Sequence, residues 1–287
     1  MLKLVSTYLS CINNIMLDHT FYRSNYVNKT TQWGLTDCEE TYKSENSFGS
    51  NLYKPDSFNY TFNSSGFRCD EFNLLSELPI VFLGCSFTEG EGLPVDNTWA
   101  YLLLEHIRRA TNKTIPFWNL ATGGSGTDMN AGLLANFIDQ LKPKYIFYLR
   151  PPWMRRAIFV NQHNIQNWLP NHTHTNLHNN KGWHIPEYFA KCLVHESFAI
   201  QQADRSLTII DLLAEKHKTK VFHFAWERDS ENTIIIQPSI KRLKNFHQMK
   251  TPWLNNVDLA RDSLHAGPAT HRMVVNQLWE VDVKHLF

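Results

Sequence analysis

The sequence predicts an α/β fold in which helices cover both faces of a mainly parallel sheet, making a three-layer αβα sandwich over residues 79–287. Two observations favour this fold. The apolar runs at residues 80–83 and 145–149 have the continuous hydrophobicity of strands that are covered on both faces. Helical segments of ten or more residues separate such runs, and this alternation is typical of βαβ units.

The amino-terminal residues 1–78 are interpreted as an irregular extension that packs on the main domain. Residues 31–78 are rich in Asn, Ser, Thr, Tyr and Phe and lack helical periodicity. This composition indicates loops and short antiparallel strands, with residues 58–62 as the candidate strand. Residues 63–68 are expected to form a turn.

The elements of the main domain follow in a regular order. After the strand at 80–83, the sequence predicts helices at 98–110, 129–141, 186–216 and 269–286, strands at 116–120, 145–149 and 220–226, and an apolar run at 234–236. Pro143 is expected to end the second of these helices. Residues 157–186 are rich in His, Asn and Trp and are interpreted as an insertion that forms a lid or part of a cleft.

Composition excludes several classes of protein. A net charge of +1 does not provide the field of a nucleic-acid-binding protein, and no run of eighteen apolar residues predicts a membrane span. Five cysteines, without C-x-x-C spacing, favour neither a disulfide framework nor a zinc site. The amino terminus lacks the features of a signal peptide, which favours a reducing, cytoplasmic location.

Ser86 follows the strand at 80–83 after a single glycine and one further residue. In open α/β sheets, ligands bind at the carboxyl ends of the strands, where Ser86 is expected to lie. A serine in such a turn can act as a nucleophile when a base reaches it and backbone N–H groups point at the same spot. The stretch is not the nucleophile elbow of α/β-hydrolases, because position 88 is Thr where that motif has Gly.

The candidate base lies far downstream, just before the final predicted helix. His265 follows Asp262 by three residues, and at this spacing the carboxylate can reach the imidazole and orient it. Asp258 is the alternative orienting group.

Three stretches resemble the sequence blocks of the SGNH (GDSL-like) hydrolases. The run Gly-Cys-Ser-Phe-Thr at 84–88 resembles the first block, residues 119–126 resemble the second, and the Asp-x-x-His at 262–265 resembles the last. The resemblance covers roughly residues 60–286. It implies a flavodoxin-like sheet and a catalytic triad of Ser86, His265 and Asp262. It also implies an oxyanion hole formed by the N–H groups of Ser86 and Gly124, with Gly123 as the alternative donor.

The chain departs from the family pattern at two places. Cys85 stands where the first block usually has Asp, and it is interpreted as a small buried residue. The third block, Gly-x-Asn-Asp, is absent after the strand at 145–149, so the asparagine donor to the oxyanion is missing. Arg150 or Arg155 is the candidate substitute, because a guanidinium can contact an oxyanion or a substrate.

The resemblance implies a serine esterase that removes small acyl groups, such as acetyl, from a carbohydrate or lipid alcohol. The serine mechanism implied by the family resemblance requires no metal or other cofactor. The expected partner is a small-molecule or glycan ester, without nucleic acid. Two alternatives stay open at this point. The chain is a non-catalytic SGNH-like module that binds glycans or serves a structural role, or it is an O-acyltransferase that uses the same triad.

Overall fold

The computed structural model describes residues 23–45, 53–153, 155–161, 164–168, 196–225, 240–250 and 256–287. The predicted apolar run at 234–236 and the first part of the helix predicted at 186–216 lie outside these residues.

A five-stranded parallel sheet forms the centre of the described structure. Its strands, in chain order, are β3 (Ile80–Leu83), β4 (Trp118–Asn119), β5 (Tyr145–Arg150), β8 (Lys220–Ala225) and β9 (Phe246–Gln248). They lie side by side in the order β4-β3-β5-β8-β9. Renumbered within the sheet, this order is 2-1-3-4-5, the flavodoxin-like order, in which the switch point lies beside the first strand. The predicted α/β fold class is confirmed.

Helices cover the sheet on both faces. They are α2 (Ser86–Glu89), α3 (Trp99–Thr111), α4 (Thr127–Leu141), α5 (Glu196–His217) and α6 (Pro268–Leu278), and α1 (Glu39–Glu45) lies in the amino-terminal extension. The strand residues alternate between two buried clusters, because successive side chains of a strand point to opposite faces. One cluster joins Phe82, Phe147 and Phe224 to α3 and α6. The other joins Val81, Ile146 and Val221 to α4 and α5, so the three predicted layers are present.

Local signals set the ends of the helices close to where the sequence predicts them. Thr98 caps α3 by accepting a hydrogen bond from the backbone N–H of Tyr101, and Asn112 ends it in the left-handed conformation, with φ at 52°. Lys142 ends α4 in the same way, one residue before Pro143. The final helix is shorter than predicted, since it passes into a π-helical turn at Trp279–Val283 and a 3-10 turn at Lys284–Leu286.

Short strands depart most from the prediction. The strand predicted at 116–120 is reduced to β4, and β9 is not among the predicted elements. Within the predicted insertion at 157–186, β6 (Arg156–Asn161) and β7 (Asn164–Trp168) form an antiparallel hairpin, and the rest of the insertion lies outside the described residues. No helix in the described ranges combines the length and the apolar character that crossing a bilayer requires.

The amino-terminal extension contains a small antiparallel pair, β1 (Thr30–Thr31) with β2 (Tyr60–Thr61), and β2 falls within the strand predicted at 58–62. The turn after it is organised by Asn63, whose side-chain oxygen accepts the N–H groups of Ser65 and Phe67, both at 3.0 Å. Arg68 then donates to the carbonyls of Gly90 and Leu93, both at 2.6 Å. The turn therefore supports the loop that follows α2. The division into an extension and a main domain at residue 78 stays a prediction.

Candidate active site

Ser86 lies at the carboxyl edge of the sheet, where β3 turns sharply into α2. The turn requires glycine at position 84, because a Cβ there would lie 2.1 Å from Thr88 Oγ1. Two hydrogen bonds to α4 and the loop before it fix the turn. The N–H of Gly84 donates to Asn130 Oδ1 at 3.1 Å, and the Ser125 hydroxyl donates to the Gly84 carbonyl at 2.8 Å. The glycine at position 84 is therefore required by its close approach to Thr88.

The structure brings the three residues of the predicted triad together. His265 Nε2 lies 2.7 Å from Ser86 Oγ, and His265 Nδ1 lies 2.6 Å from Asp262 Oδ2. Because the ionised carboxylate can only accept, Nδ1 carries the proton and Nε2 is free to accept the hydroxyl proton of Ser86. The ring of Phe87 packs against the imidazole with a centroid distance of 4.8 Å. The imidazole is thus held between a hydroxyl and a carboxylate in the orientation that a general base requires.

Asp262 is fully buried and accepts four hydrogen bonds. Oδ1 accepts the backbone N–H groups of Leu264 at 3.1 Å and His265 at 3.0 Å. Oδ2 accepts His265 Nδ1 and the hydroxyl of Thr36, the latter at 2.8 Å. Burial on its own raises the pKa of Asp262, but the hydrogen bonds and the charge of His265, together with the Thr36 hydroxyl, outweigh burial and lower this pKa. The carboxylate stays ionised at neutral pH.

The alternative orienting residue, Asp258, has a different place in the structure. Its carboxylate accepts the backbone N–H groups of Ala269 and Thr270, both at 2.8 Å, and the Thr270 hydroxyl at 2.7 Å. Asp258 therefore serves the first turn of α6, where a negative charge is also favoured by the helix dipole.

The charges around His265 raise its pKa above the ordinary value for histidine. Burial works in the opposite direction and is the largest single influence. The hydrogen bond and charge of Asp262, with a contribution from Glu91, more than offset burial, and the positive charge of Arg155 counteracts them in part. The imidazolium form is thus stabilised in the folded protein, as a base that must carry a proton during a reaction requires.

Two backbone N–H groups near Ser86 have no acceptor among the described residues, those of Ser86 itself and of Gly124. Gly124 adopts a φ of 72°, which favours glycine at this position. The rival donor, Gly123, directs its N–H at Glu89 Oε2, 2.5 Å away. Glu89 is buried and also pairs with Arg23 at 2.5 Å, so the Gly123 N–H is committed to a structural contact.

The segment that stands in place of the missing third block borders a small pocket beside the turn that carries Ser86. The pocket is lined by Cys85, Phe87, Leu149, Arg150, Pro152 and Arg155. Arg150 is buried at the end of β5, and the backbone of Arg155 closely approaches Gly126 at the start of α4. Both candidate arginines therefore border the pocket that Cys85 and Phe87, the chain neighbours of Ser86, also line. Cys85 is buried as predicted. The described residues contain no cluster of His, Cys, Asp and Glu suited to a metal ion.

Two residues near the site escape sequence reasoning, Thr36 and Glu91. Thr36 lies in the extension, 226 positions before Asp262, and no local pattern indicates a contact over that separation. Glu91 follows α2 and is buried, and its charge acts on His265. Burial raises the pKa of Glu91, while the charge of His265 lowers it in part. The sequence shows an acidic residue five positions after Ser86, but acidic residues are mostly exposed, so its burial was not predicted.

No protein-family model matches the chain, and a search of curated proteins returns no match. Among solved structures, the chain is similar to TesA, at 10% identity and a TM-score of 0.48, with 72% of this chain and 99% of that chain covered. It is also similar to the psychrotrophic esterase EstA from Pseudoalteromonas sp., at 13% identity and a TM-score of 0.45, with 72% and 97% covered. A third similar structure is Axe2, an acetylxylan esterase from Geobacillus stearothermophilus, at 13% identity and a TM-score of 0.46, with 71% and 94% covered.

The order of the strands establishes the type of α/β sheet. Five parallel strands in the 2-1-3-4-5 order, with helices on both faces and the serine turn after the first strand, are the architecture that the resemblance implies. The chain therefore has a three-layer α/β fold with a flavodoxin-like sheet.

Proposed function

We propose that this protein is a serine esterase that cleaves small O-acyl esters. The observation that carries the proposal is the pair of short contacts from one imidazole, 2.7 Å to Ser86 Oγ and 2.6 Å to Asp262 Oδ2. A hydroxyl, a base and a carboxylate in this relation form a nucleophile that can be deprotonated as it attacks.

The proposed reaction begins when Ser86 Oγ attacks the ester carbonyl and its proton passes to His265 Nε2. Asp262 holds the imidazole and stabilises the imidazolium that forms. The tetrahedral intermediate collapses, the C–O bond to the alcohol breaks, and His265 returns the proton to the leaving alkoxide. Water then attacks the acyl-enzyme with His265 as base, which releases the acid and restores the Ser86 hydroxyl.

The negative charge that develops on the carbonyl oxygen needs donors that are already in place. The N–H groups of Ser86 and Gly124 suit this role because neither has an acceptor within the described residues. Each donor in such a site contributes about 3–4 kcal/mol to lowering the barrier. Arg150 and Arg155 border the same pocket, and we propose that one of them supplies the contact that asparagine makes elsewhere in the family.

The acyl group proposed here rests on the resemblance of the three sequence blocks to the SGNH hydrolases. We propose that the substrate is an ester of a small acyl group, such as acetyl, with a carbohydrate or lipid alcohol.

The proposal is tested with Ser86→Ala and a short-chain aryl ester. We expect the turnover of Ser86→Ala to be at least about 10³-fold below that of the wild type, since the nucleophile is removed while the oxyanion donors remain. Ser64→Ala is the matched control, because Ser64 is exposed and its hydroxyl donates to Glu71 Oε2. Turnover by Ser86→Ala at the wild-type rate would reject the assignment.

A fluorophosphonate probe separates the esterase from the non-catalytic alternative, which the missing third block favours. Labelling at Ser86 is the result expected for the esterase. An unlabelled Ser86 together with measurable glycan binding would favour a binding module. Product analysis in the presence of a sugar acceptor distinguishes hydrolysis from acyl transfer.

A further inference from the structure

The amino-terminal extension reaches into the candidate active site through Thr36. The Thr36 hydroxyl donates to Asp262 Oδ2 at 2.8 Å and lies 3.5 Å from His265 Nδ1. Oδ2 is the same oxygen that accepts the imidazole proton at 2.6 Å. We propose that Thr36 is a positioning residue for Asp262 and His265, an inference that rests on the esterase function proposed above.

The position of Thr36 is set by its backbone and not only by its side chain. The Thr36 N–H donates to Glu91 Oε1 at 2.5 Å, and Glu91 is 3% exposed. Glu91 follows Ser86 by five residues, in the loop directly after α2. Thr36 therefore bridges the chain segment that carries the proposed nucleophile and the segment that carries the orienting carboxylate.

The next residue, Asp37, fastens the extension to the loop that holds Asp262. Asp37 and Arg261 form an ion pair in which both side chains are fully buried, with Nη2 2.7 Å and Nε 3.0 Å from Oδ2. The guanidinium of Arg261 lies 3.9 Å from the ring centroid of Phe58 and 4.6 Å from that of Trp33. Because Arg261 immediately precedes Asp262, this ion pair fixes the position of the backbone that carries the orienting carboxylate.

Further hydrogen bonds tie the same segment to the loop after α2. The Tyr60 hydroxyl donates to Asp37 Oδ2 at 2.5 Å and accepts the N–H of Gly92 at 2.7 Å. The N–H of Arg261 donates to the carbonyl of Gly92 at 2.9 Å. A Cβ at position 92 would lie 2.6 Å from Ala260 Cβ, so the loops after α2 and before His265 are in close contact. The contact of Thr36 with Asp262 is therefore part of a hydrogen-bonded contact between the extension and the two loops that flank the site.

Thr36 is proposed to act on the reaction through Asp262, because its hydroxyl donates to the carboxylate and changes how strongly that carboxylate holds the imidazole. Two backbone N–H groups hold Oδ1, whereas Oδ2 accepts the imidazole Nδ1–H and the Thr36 hydroxyl. When the hydroxyl is removed, Oδ2 loses the donor that fixes its direction toward the imidazole, and the less shielded carboxylate also interacts more strongly with the imidazolium. The other charged groups that act on His265 are Glu91 and Arg155, and His271 lies near enough for its charge to be coupled to that of His265.

The test compares Thr36→Val with Thr36→Ser in assays of kcat/KM against pH with the short-chain aryl ester. Thr36→Val keeps the branched shape of the side chain and removes the hydroxyl, and because Thr36 is solvent-exposed the core is not repacked. We expect kcat/KM on the plateau to fall about tenfold, the effect of losing one hydrogen bond to a charged group. The loss falls on kcat and not on KM. In Thr36→Val, the acid limb of the pH profile, which reports the titration of His265, moves to higher pH. Thr36→Ser, which keeps the hydroxyl, returns both kcat/KM and the position of the acid limb to the wild-type values.

Thr31→Val is the matched control, because Thr31 lies in the same extension and its hydroxyl donates only to the carbonyl of Trp33, at 2.9 Å. We expect it to behave as wild type. A wild-type acid limb and rate in Thr36→Val would overturn the inference, and so would a Thr36→Ser variant no better than Thr36→Val.

Failure of the esterase proposal is recognised separately, as absent turnover and absent fluorophosphonate labelling in the wild-type protein. In that case the titration of His265, followed by NMR in wild type and Thr36→Val, tests the positioning role directly. A higher pKa of His265 in Thr36→Val supports it, and an unchanged pKa overturns it.

Discussion

Replacing Asp262 with Asn tests the electrostatic role of the buried carboxylate most directly. The carboxylate accepts four hydrogen bonds, two on each oxygen. In Asp262→Asn, the side-chain oxygen can replace Oδ1 as the acceptor for the N–H groups of Leu264 and His265. The amide nitrogen then faces His265 Nδ1 and the Thr36 hydroxyl, and it can donate but not accept.

The consequence for His265 is a change of tautomer. To accept from the amide, Nδ1 must lose its proton, and Nε2 then carries the proton toward Ser86 Oγ, 2.7 Å away. Such an imidazole cannot remove the hydroxyl proton, and in the serine-protease arrangement the same change lowers kcat about 10⁴-fold. We expect a loss of that order, about 5–6 kcal/mol in transition-state free energy.

The pH dependence gives a second, independent readout. Asp262 is the main group that raises the pKa of His265, against a burial effect that lowers it. Removing the negative charge leaves burial dominant, so the pKa of His265 falls below the ordinary value of about 6.5. The acid limb of kcat/KM, which requires neutral His265, is therefore expected to move from above that value to below it.

The assay is kcat/KM for a short-chain aryl ester measured from about pH 5 to 9, with far-UV circular dichroism to verify folding. Asp258→Asn is the control, because that carboxylate binds the first turn of α6 and not the imidazole. Retention of more than about a tenth of wild-type activity, or an acid limb that stays where it is in Asp262→Asn, would refute the electrostatic argument.

Two further predictions concern stability. Asp37→Asn leaves the guanidinium of Arg261 charged and fully buried, so we expect the free energy of unfolding to fall by about 3–5 kcal/mol; urea denaturation measures this, and a change below about 1 kcal/mol would contradict the importance of the ion pair. Gly84→Ala places a Cβ 2.1 Å from Thr88 Oγ1, so we expect a loss of at least about 1–3 kcal/mol in thermal or urea unfolding. Combining it with Thr88→Ala recovers part of that loss, and an additive decrease in the double variant would count against a steric cause.

Much of the fold could be predicted because its signals are local. The run at 80–83 is apolar over its whole length because β3 is covered on both faces, and α3 lies within one residue of its predicted bounds because Thr98 and Asn112 mark its ends. Elements with weak local signals were predicted less well. Three-residue β9 has partly exposed side chains and gains its place from pairing with β8, and the end of α6 changes helix type where Trp279 packs against the core.

The residues of the candidate site also differ in how far the sequence predicts them. Ser86, Asp262 and His265 could be named from the motifs, and the structure brings their side chains into contact. The three-residue spacing to His265 favoured Asp262 as the orienting residue and left Asp258 as the alternative. The choice between them depends on the tight loop before α6, in which Ser263 adopts a positive φ of 55° and turns the Asp262 side chain back on the imidazole.

The sequence by itself determined the alternation of strands and helices, the serine turn and the residue types available for chemistry, since each follows from hydrophobic period, breakers and short motifs. Only the tertiary structure decided which of these residues meet. The contact between Ser86 and His265 spans 179 positions, and that between Thr36 and Asp262 spans 226. Contacts over such separations depend on how sheet order and loop packing bring distant segments to one edge, and residue spacing along the chain carries no information about that.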